Sequence, residues 1–395
     1  MAESEKQTET VECDASDDET ALYEATVVTG LEKIAAEECE QKLNCTVNTK
    51  QGRIVFESNR TVNDILTLRG VDNVYVVVRN ETLQTLPVDK EECKTLFEQF
   101  LEKCEWRKPL RIWSNVFDFN YELDSILEKS TQSTENVKKP VFRVTCNRTG
   151  DNHCFTSNEA AAILGGIINE TYHWPVSMKQ FDLEIIFNIK DKELSVGIAL
   201  TRQSLHYRNL VSFGPTSLKA TICHNMLRLA EIQTGDIVCD PMCGSGAILV
   251  ESSISWSNCF NIASDIHPKA IENTLENTKR SAVSEVDIMS FDATKMPFSK
   301  ESIDVFITDL PFGKRIGSKR DNRTLYPLVL KEMARCAKLN TGRVVLLTQD
   351  KKNLQMAIEN HSIKQYWKRN KYVYVKVGGL DAGLFRLIRT INKFV

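Results

Sequence analysis

Apolar residues recur along this chain in two alternating rhythms: a period of two, which predicts strands, and a period near 3.6, which predicts helices. Residues 23–29, 53–57 and 72–79 read as strands, and 31–43, 62–68 and 90–104 as helices. Their β-α-β-β-α-like order suggests a small ferredoxin-like α+β unit. Residues 115–139 are polar and aperiodic, so they read as a loop or insertion. Period two resumes at 141–146. A helix over 158–170 follows, capped by Thr156, and strands at 183–189 and 194–200 pair about a polar turn. From Ile237 the style changes. Short strands at 237–239, 261–264, 286–289, 304–308 and 344–348 alternate with helical stretches, the pattern of a doubly wound parallel sheet. Segments 372–377 and 384–390, joined through a Gly-Gly turn, predict a terminal antiparallel pair. The expected organisation is a tail over 1–23, an α+β unit over 24–110, a second α/β unit over 111–205, and an α/β domain over 206–395.

A chain of 395 residues has room for two or three such units. Eight acids and one lysine fall within the first twenty residues, without hydrophobic periodicity, so the tail reads as acidic and disordered. The net charge of −3 does not advertise nucleic-acid binding, yet the charge is uneven. Lys314, Arg315, Lys319, Arg320 and Arg323 cluster together, and Lys364, Lys368, Arg369, Lys371 and Lys376 form a second basic group. Such runs either face water or meet phosphate. No apolar run reaches membrane-spanning length, and the N-terminus lacks the plan of a signal peptide. The expectation is an intracellular chain without membrane association, its twelve cysteines mostly reduced. Cys239 and Cys243 fall on a strand end and a glycine turn, which disfavours zinc, so no metal site is assigned.

Candidate chemistry gathers where the later strands end. Asp240, Pro241, Met242, Cys243, Gly244, Ser245 and Gly246 follow the first strand of the doubly wound sheet and open a helix. The glycines allow close backbone approach to a ligand. A dinucleotide fingerprint would need a third glycine where Leu249 stands, and a phosphate loop would need Gly-Lys-Ser/Thr, which is absent. Asp240 adds negative charge, wrong for phosphate but suited to a cation such as the sulfonium and amino groups of S-adenosylmethionine. Asp265, after the next strand, can bond both hydroxyls of a ribose or cap the following helix. Asp292, with Ala293 after it, is placed to meet an adenine edge or simply to face solvent. Asp309, Leu310, Pro311, Phe312 and Gly313 end the fourth strand. The acid can accept from an exocyclic amine, the proline stiffens the turn and leaves carbonyls outward, and the phenyl ring offers a stacking face. Four acids on successive strand ends mark the ligand-binding edge of an open α/β sheet.

These residues carry a resemblance. Residues 206–395 resemble class I (Rossmann-like) S-adenosylmethionine-dependent methyltransferases, and the corner at 309–313 resembles the Asn/Asp-Pro-Pro-Tyr/Phe motif of those that methylate exocyclic amines, with Leu310 for the first proline. The pairing of Asp-Pro-Met-Cys-Gly-Ser-Gly with Asp-Leu-Pro-Phe-Gly is similar to the THUMP-domain tRNA guanine-N2 methyltransferases. So are the stretches at 142–148, 153–159 and 206–218. The resemblance implies N2-methylguanosine formation in tRNA, at position 6 of the acceptor stem and sometimes 7. Alternatives are the same reaction on a spliceosomal small nuclear RNA, and a non-catalytic RNA-binding module. It implies a THUMP RNA-binding unit over 111–205, in which Arg143, Asn147 and Arg148 touch RNA, and cofactor contacts from Pro215, Thr216, Ser217, Asp240, Met242, Cys243, Gly244, Gly246, Asp265, Asp292 and Ala293. It implies that a helix beginning within 213–218 closes over the cofactor. Asp309, Pro311 and Phe312 would hold the target base, and Lys314, Arg315, Lys319 and Arg320 the RNA backbone. It also implies a small zinc-binding activator subunit as partner, and a cytoplasmic location with the nucleus as a second compartment.

Overall fold

A computed structural model describes residues 20–129, 138–151, 153–214, 217–281, 286–313 and 318–394. The tail over 1–19, the middle of the polar stretch, and Pro215, Thr216, Lys314 and Arg315 lie outside the described residues.

Two sheets organise the rest. The first is built from β1 (Ala21–Thr26), β2 (Val47–Lys50), β3 (Arg53–Ser58), β4 (Asn73–Thr82), β5 (Phe142–Thr149), β6 (Leu183–Lys190) and β7 (Glu193–Ala199), in the order β2-β3-β1-β4-β7-β6-β5. The sequence separates 24–110 from 111–205, yet β4 pairs antiparallel with β7 and carries the ladder across that boundary. Both segments therefore share one sheet. Period two explains its core: Tyr23, Ala25, Ile54, Phe56, Val74, Val76, Phe187, Val196 and Ile198 point to one face and are buried. Helices α1 (Glu32–Leu43), α3 (Lys90–Glu102), α4 (Arg107–Phe117) and α6 (Ser157–Tyr172) contribute to that core. The short α2 (Val62–Ile65) and α5 (Leu123–Leu127) complete this half. Thr156 caps α6 in a reciprocal box with Glu159.

The expected loop over 115–139 needs correction. Its first part belongs to α4 and α5, and it is anchored. Trp113 is fully buried against Phe119, at 4.9 Å between ring centres, and the Trp174 indole donates to the Ile126 carbonyl at 2.8 Å. A few large aromatics hold this segment, and their spacing is too sparse to register as a period.

The second sheet contains β8 (Ile237–Asp240), β9 (Phe260–Ser264), β10 (Val286–Met289), β11 (Val305–Asp309), β12 (Arg343–Thr348), β13 (Trp367–Val377) and β14 (Leu380–Arg389), ordered β10-β9-β8-β11-β12-β14-β13. The first five are parallel, and β14 and β13 add an antiparallel edge, as the sequence predicts. Around it lie α7 (Ala220–Leu229), α8 (Ala247–Ser255), α9 (Pro268–Arg280), α10 (Lys319–Cys336), α11 (Lys351–Ile358) and α12 (His361–Lys364).

Among the described residues the halves meet in two regions. At one, α1 packs on α7 through buried charge. Glu251 accepts both Arg69 guanidinium donors at 2.6 and 2.8 Å, together with Asn209 Nδ2 at 2.7 Å, and His224 Nδ1 lies 3.0 Å away. Glu38 accepts the Arg69 and Gly70 backbone N–H groups at 2.9 and 2.7 Å, and His224 Nε2 lies 3.2 Å from it. At the other, Lys376 N–H donates to the Thr29 carbonyl at 3.0 Å. Gly30 there has φ +102°, and a Cβ would sit 1.8 Å from the Tyr374 carbonyl oxygen, so the contact requires glycine.

Candidate active site

Parallel pairing lines up the carboxyl ends of β10, β9, β8, β11 and β12 along one edge, so Asp292, Asp265, Asp240 and Asp309 follow one another across it. This is where an open α/β sheet binds ligands. Each acid has a different environment.

Asp240 is almost wholly buried. Burial lifts its carboxyl to about 7, against the pull of a hydrogen bond from Met242 N–H at 3.2 Å, and nearby Asp265 adds to the rise. Asp309 is raised well above the ordinary carboxylate range, first by burial and then by Asp240. Its Oδ1 is buried and accepts no hydrogen bond among the described residues. Among the described residues neither acid forms an ion pair. Two buried carboxyls without a cation are costly, and the arrangement fits a ligand that brings positive charge.

Asp265 is the hinge of the glycine turn. Its Oδ2 accepts Gly244 N–H at 3.0 Å and its Oδ1 accepts His267 N–H at 2.9 Å, so it braces the turn and the entry to α9 but is not the cap of that helix. His267 is the N-cap of α9. Asp292 is exposed, and its Oδ1 accepts the backbone and hydroxyl of Thr294, both at 2.8 Å, while Ala293 is buried beneath it.

The turn after β8 is locked from α9. Gly246 has φ +77°, and a Cβ would lie 2.7 Å from Thr274 Cγ2. Thr274 donates to the Gly244 carbonyl at 3.1 Å and its hydroxyl lies 3.5 Å from the Cys243 sulfur. Met242 is packed against the second core cluster. Asn277 donates to the carbonyls of Ser245 and Ser212, both at 2.8 Å, and accepts the N–H groups of Val211 and Ser212. Ser217 accepts Gly214 N–H at 2.8 Å and the Ser245 hydroxyl at 3.1 Å. Contrary to expectation, no helix begins within the described part of 213–218: Ser217 is irregular, and α7 starts at Ala220. Asn273, Thr274 and Asn277 were missed as site residues. Their signal is legible in retrospect, since the buried stripe of α9 carries Asn and Thr where apolar side chains belong.

The corner after β11 departs from one expectation. The Pro311 carbonyl points inward, where Tyr326 Oη donates at 2.5 Å and Asn322 Nδ2 at 3.0 Å. Asn322 also donates to Asp350 at 3.0 Å, and Tyr326 Oη lies 2.9 Å from the Thr348 hydroxyl. Pro311 therefore fixes the turn and is not itself an outward acceptor. Leu310 explains the missing proline. Its N–H donates to the Leu347 carbonyl at 2.9 Å, a bond proline cannot make, and its side chain is buried with Tyr326 and Val329. Phe312 is half-buried, with part of its ring left to solvent.

Of the basic residues, Lys319 and Arg320 are exposed on the first turn of α10, beside this corner. The three expected contacts in the first half are engaged within the protein. Arg143 donates to Glu184 at 2.7 Å beneath the Phe181 ring, Asn147 donates to Asn188 at 3.0 Å, and Arg148 lies 3.0 Å from His153 Nδ1.

A doubly wound sheet with a glycine turn, a pair of buried acids and an Asp-x-Pro-Phe corner on its ligand edge defines an S-adenosylmethionine-dependent methyltransferase of the class that acts on exocyclic amines. Comparison with known proteins agrees. The RMKL-like, methyltransferase domain family (UPF0020) matches residues 206–380. The human tRNA (guanine(6)-N(2))-methyltransferase THUMP3 is 35% identical over all of this chain and 94% of its own length. The mouse U6 snRNA (guanine-N(2))-methyltransferase THUMPD2 is 30% identical over 58% of this chain and 43% of its own length. TrmN from Thermus thermophilus has the same fold, with a TM-score of 0.75 at 22% identity over 94% of this chain and 100% of that one. The chain belongs to the tRNA (guanine-N2)-methyltransferase family.

Proposed function

We propose that this protein transfers a methyl group to the exocyclic N2 of guanosine in tRNA, at position 6 of the acceptor stem. The observation that carries the reading is Asp309: a buried carboxyl oxygen without a partner among the described residues, at the ligand edge of the sheet, in the same corner as half-buried Phe312. S-adenosylmethionine, when bound, supplies an electrophilic methyl group on a positively charged sulfur. Asp240, Met242, Cys243, Gly244 and Gly246 would hold its methionine end, Asp265 its ribose, and Asp292 and Ala293 its adenine. Its charge would satisfy the acid pair.

The guanine amine is a poor nucleophile because its lone pair is delocalised into the ring. Asp309 would accept a hydrogen bond from that amine, favour a more tetrahedral nitrogen, and stabilise the positive charge that grows there. Phe312 would stack on the base, which must leave its helix to reach the pocket. The decisive test is mass spectrometry of nucleosides from tRNA treated with the protein and cofactor. N2-methylguanosine at position 6 supports the reading, and its absence removes it. The relatives that act on U6 snRNA match a shorter share of both chains, which favours tRNA as substrate.

Binding of the cofactor should depend on pH in a defined direction. A cationic ligand selects the Asp240 carboxylate, which already exists above about pH 7 and must be created below it. Affinity is therefore expected to hold above neutrality and to fall by up to about tenfold per pH unit beneath it. Calorimetry at several pH values reads this, and a flat profile would remove Asp240 from contact with positive charge.

The first half would serve as the RNA grip, its one sheet joining the 24–110 segment to a THUMP unit over 111–205. Because Arg143, Asn147 and Arg148 already have partners, Lys319 and Arg320 are the better-placed phosphate contacts. Changing both to alanine should weaken tRNA binding and lower the slope of log affinity against log salt by about 1–2. An unchanged slope would return them to a solvated face. A small zinc-binding activator would dock on an edge of the catalytic sheet, where β10 lacks an outer neighbour among the described residues. Full activity of the purified chain alone would overturn that partner. The site of action would be the cytoplasm, with the nucleus second, to be checked by fractionation.

A further inference from the structure

One polar side chain on the ligand edge has no task in the scheme above. Gln349 follows the last residue of β12, the strand beside β11. Its Oε1 is buried and accepts no hydrogen bond among the described residues, the same condition as Asp309 Oδ1. The two belong together by register. Asp309 pairs with Leu347, and Leu310 N–H donates to the Leu347 carbonyl at 2.9 Å. Thr348 turns to the α10 face, where it meets Tyr326 at 2.9 Å. Strand alternation then carries Leu347 to the opposite face, which is that of Asp309, and Gln349 lies in the bend just past the strand end. Two residues of chain span at most about 7 Å, so Gln349 stays close to Leu347, on the strand that neighbours β11. Asp350, next in the chain, accepts from Asn322 and Asn353 at 3.0 and 2.7 Å, so of this pair Gln349 is the one left with an unpartnered oxygen.

Natural proteins rarely leave a buried amide oxygen unpaired, because the desolvation of that oxygen goes uncompensated. A carboxamide offers an acceptor and a donor side by side. The Watson–Crick edge of guanine offers the complement: N1–H donates and O6 accepts, next to the 2-amino group. We propose that Gln349 reads this edge, its Oε1 accepting from N1–H and its Nε2 donating to O6, while Asp309 receives the 2-amino group. Gln349 is then the residue that makes the site specific for guanine. This rests on the guanine-N2 reading given above.

The probe is 2-aminopurine. It keeps the 2-amino group that Asp309 needs, but N1 becomes an acceptor and the C6 oxygen is gone, so the carboxamide makes one bond instead of two in either orientation. Single-turnover methylation is measured on two tRNAs, one with guanosine and one with 2-aminopurine at the target position, and the ratio of rates is taken. The unaltered protein should prefer guanosine by about 10- to 100-fold, the range of a bidentate base contact. Gln349→Met keeps the length and removes both polar atoms, so the ratio should fall close to one. Gln349→Leu, a second apolar variant, should do the same. The ratio is read on whichever variant binds cofactor normally. A variant that loses rate equally on both tRNAs, with the ratio kept, overturns the proposal and leaves Gln349 a structural residue. So does an unaltered protein that does not discriminate. If the unaltered protein methylates neither tRNA, it is the guanine-N2 reading that fails.

Discussion

Replacing Asp309 with alanine is expected to lower methyl transfer to tRNA by roughly 10³-fold while the protein melts at a higher temperature than before. The two halves of this result have one cause. Burial and the neighbouring Asp240 hold the Asp309 carboxyl well above its ordinary range, and one of its oxygens has no partner among the described residues. An acid whose folded value is raised contributes fully to stability below its unfolded value, near 4. That contribution is lost as pH rises toward the folded value. At neutral pH Asp309 is therefore a burden on the empty fold, and removing it relieves the strain. The same unmet demand is what catalysis uses. An acceptor aimed at an amine that becomes positive in the transition state stabilises that state more than the ground state. Cofactor affinity should change only a few-fold, since Asp240 and the glycine turn remain. Asp309→Asn keeps one acceptor oxygen and should lose less activity than alanine. Thermal melting, cofactor calorimetry and single-turnover rates separate the effects. A variant that melts lower and keeps its rate would show Asp309 to be a structural residue.

How far the chain alone discloses this site depends on which interactions build it. Period two and the strand-end acids expose the parallel sheet and the row Asp240, Asp265, Asp292 and Asp309, because each is a local pattern read within a few residues. What stays hidden is made between distant segments. Asn277 ties 211–212 to the glycine turn, and Asn322, Tyr326 and Asp350 turn the Pro311 carbonyl inward. Both networks use polar residues on buried helix faces, where a hydropathy pattern shows only a weak helix. The continuity of the first sheet is hidden for the same reason. The pairing of β4 with β7 joins residues more than a hundred positions apart, and nothing in either strand names its neighbour. Leu310 is the reverse case, a local departure from a motif whose reason is visible only once β12 lies beside it.

Glu251→Ala is expected to destabilise the protein by about 3–5 kcal/mol and to separate unfolding into two steps. Glu251 is completely buried where α8 faces the first half. Burial alone would raise its carboxyl, but Arg69, His224 and Arg208 outweigh burial and hold it well below the usual carboxylate range. With the folded value depressed, its contribution to stability is present above the unfolded value, near 4.3, and is lost as pH falls toward the folded one. At neutral pH the whole of it is in force. The alanine variant leaves Arg69, Arg208 and His224 gathered without their acceptor, which is the costly way to break a buried pair. Arg69 also carries the link between the halves, since its backbone N–H is held by Glu38 and its guanidinium by Glu251. Loosening it leaves the bond of Thr221 to Asp72 at 2.6 Å, that of Asn225 to the Gly70 carbonyl at 2.8 Å and the contact of Gly30 with β13 among the remaining ties. The comparison is Glu272→Ala, whose acid and partner Lys269 are both largely exposed, and which should cost no more than about 1 kcal/mol. Urea unfolding followed by tryptophan fluorescence and by circular dichroism tests both. Coincident transitions in Glu251→Ala, shifted no more than in Glu272→Ala, would show that the buried charges do not couple the RNA-gripping half to the catalytic one. Divergent transitions would show that they do. Placement of the target guanosine at Asp309 would then depend on a salt-bridged joint far from the reacting nitrogen.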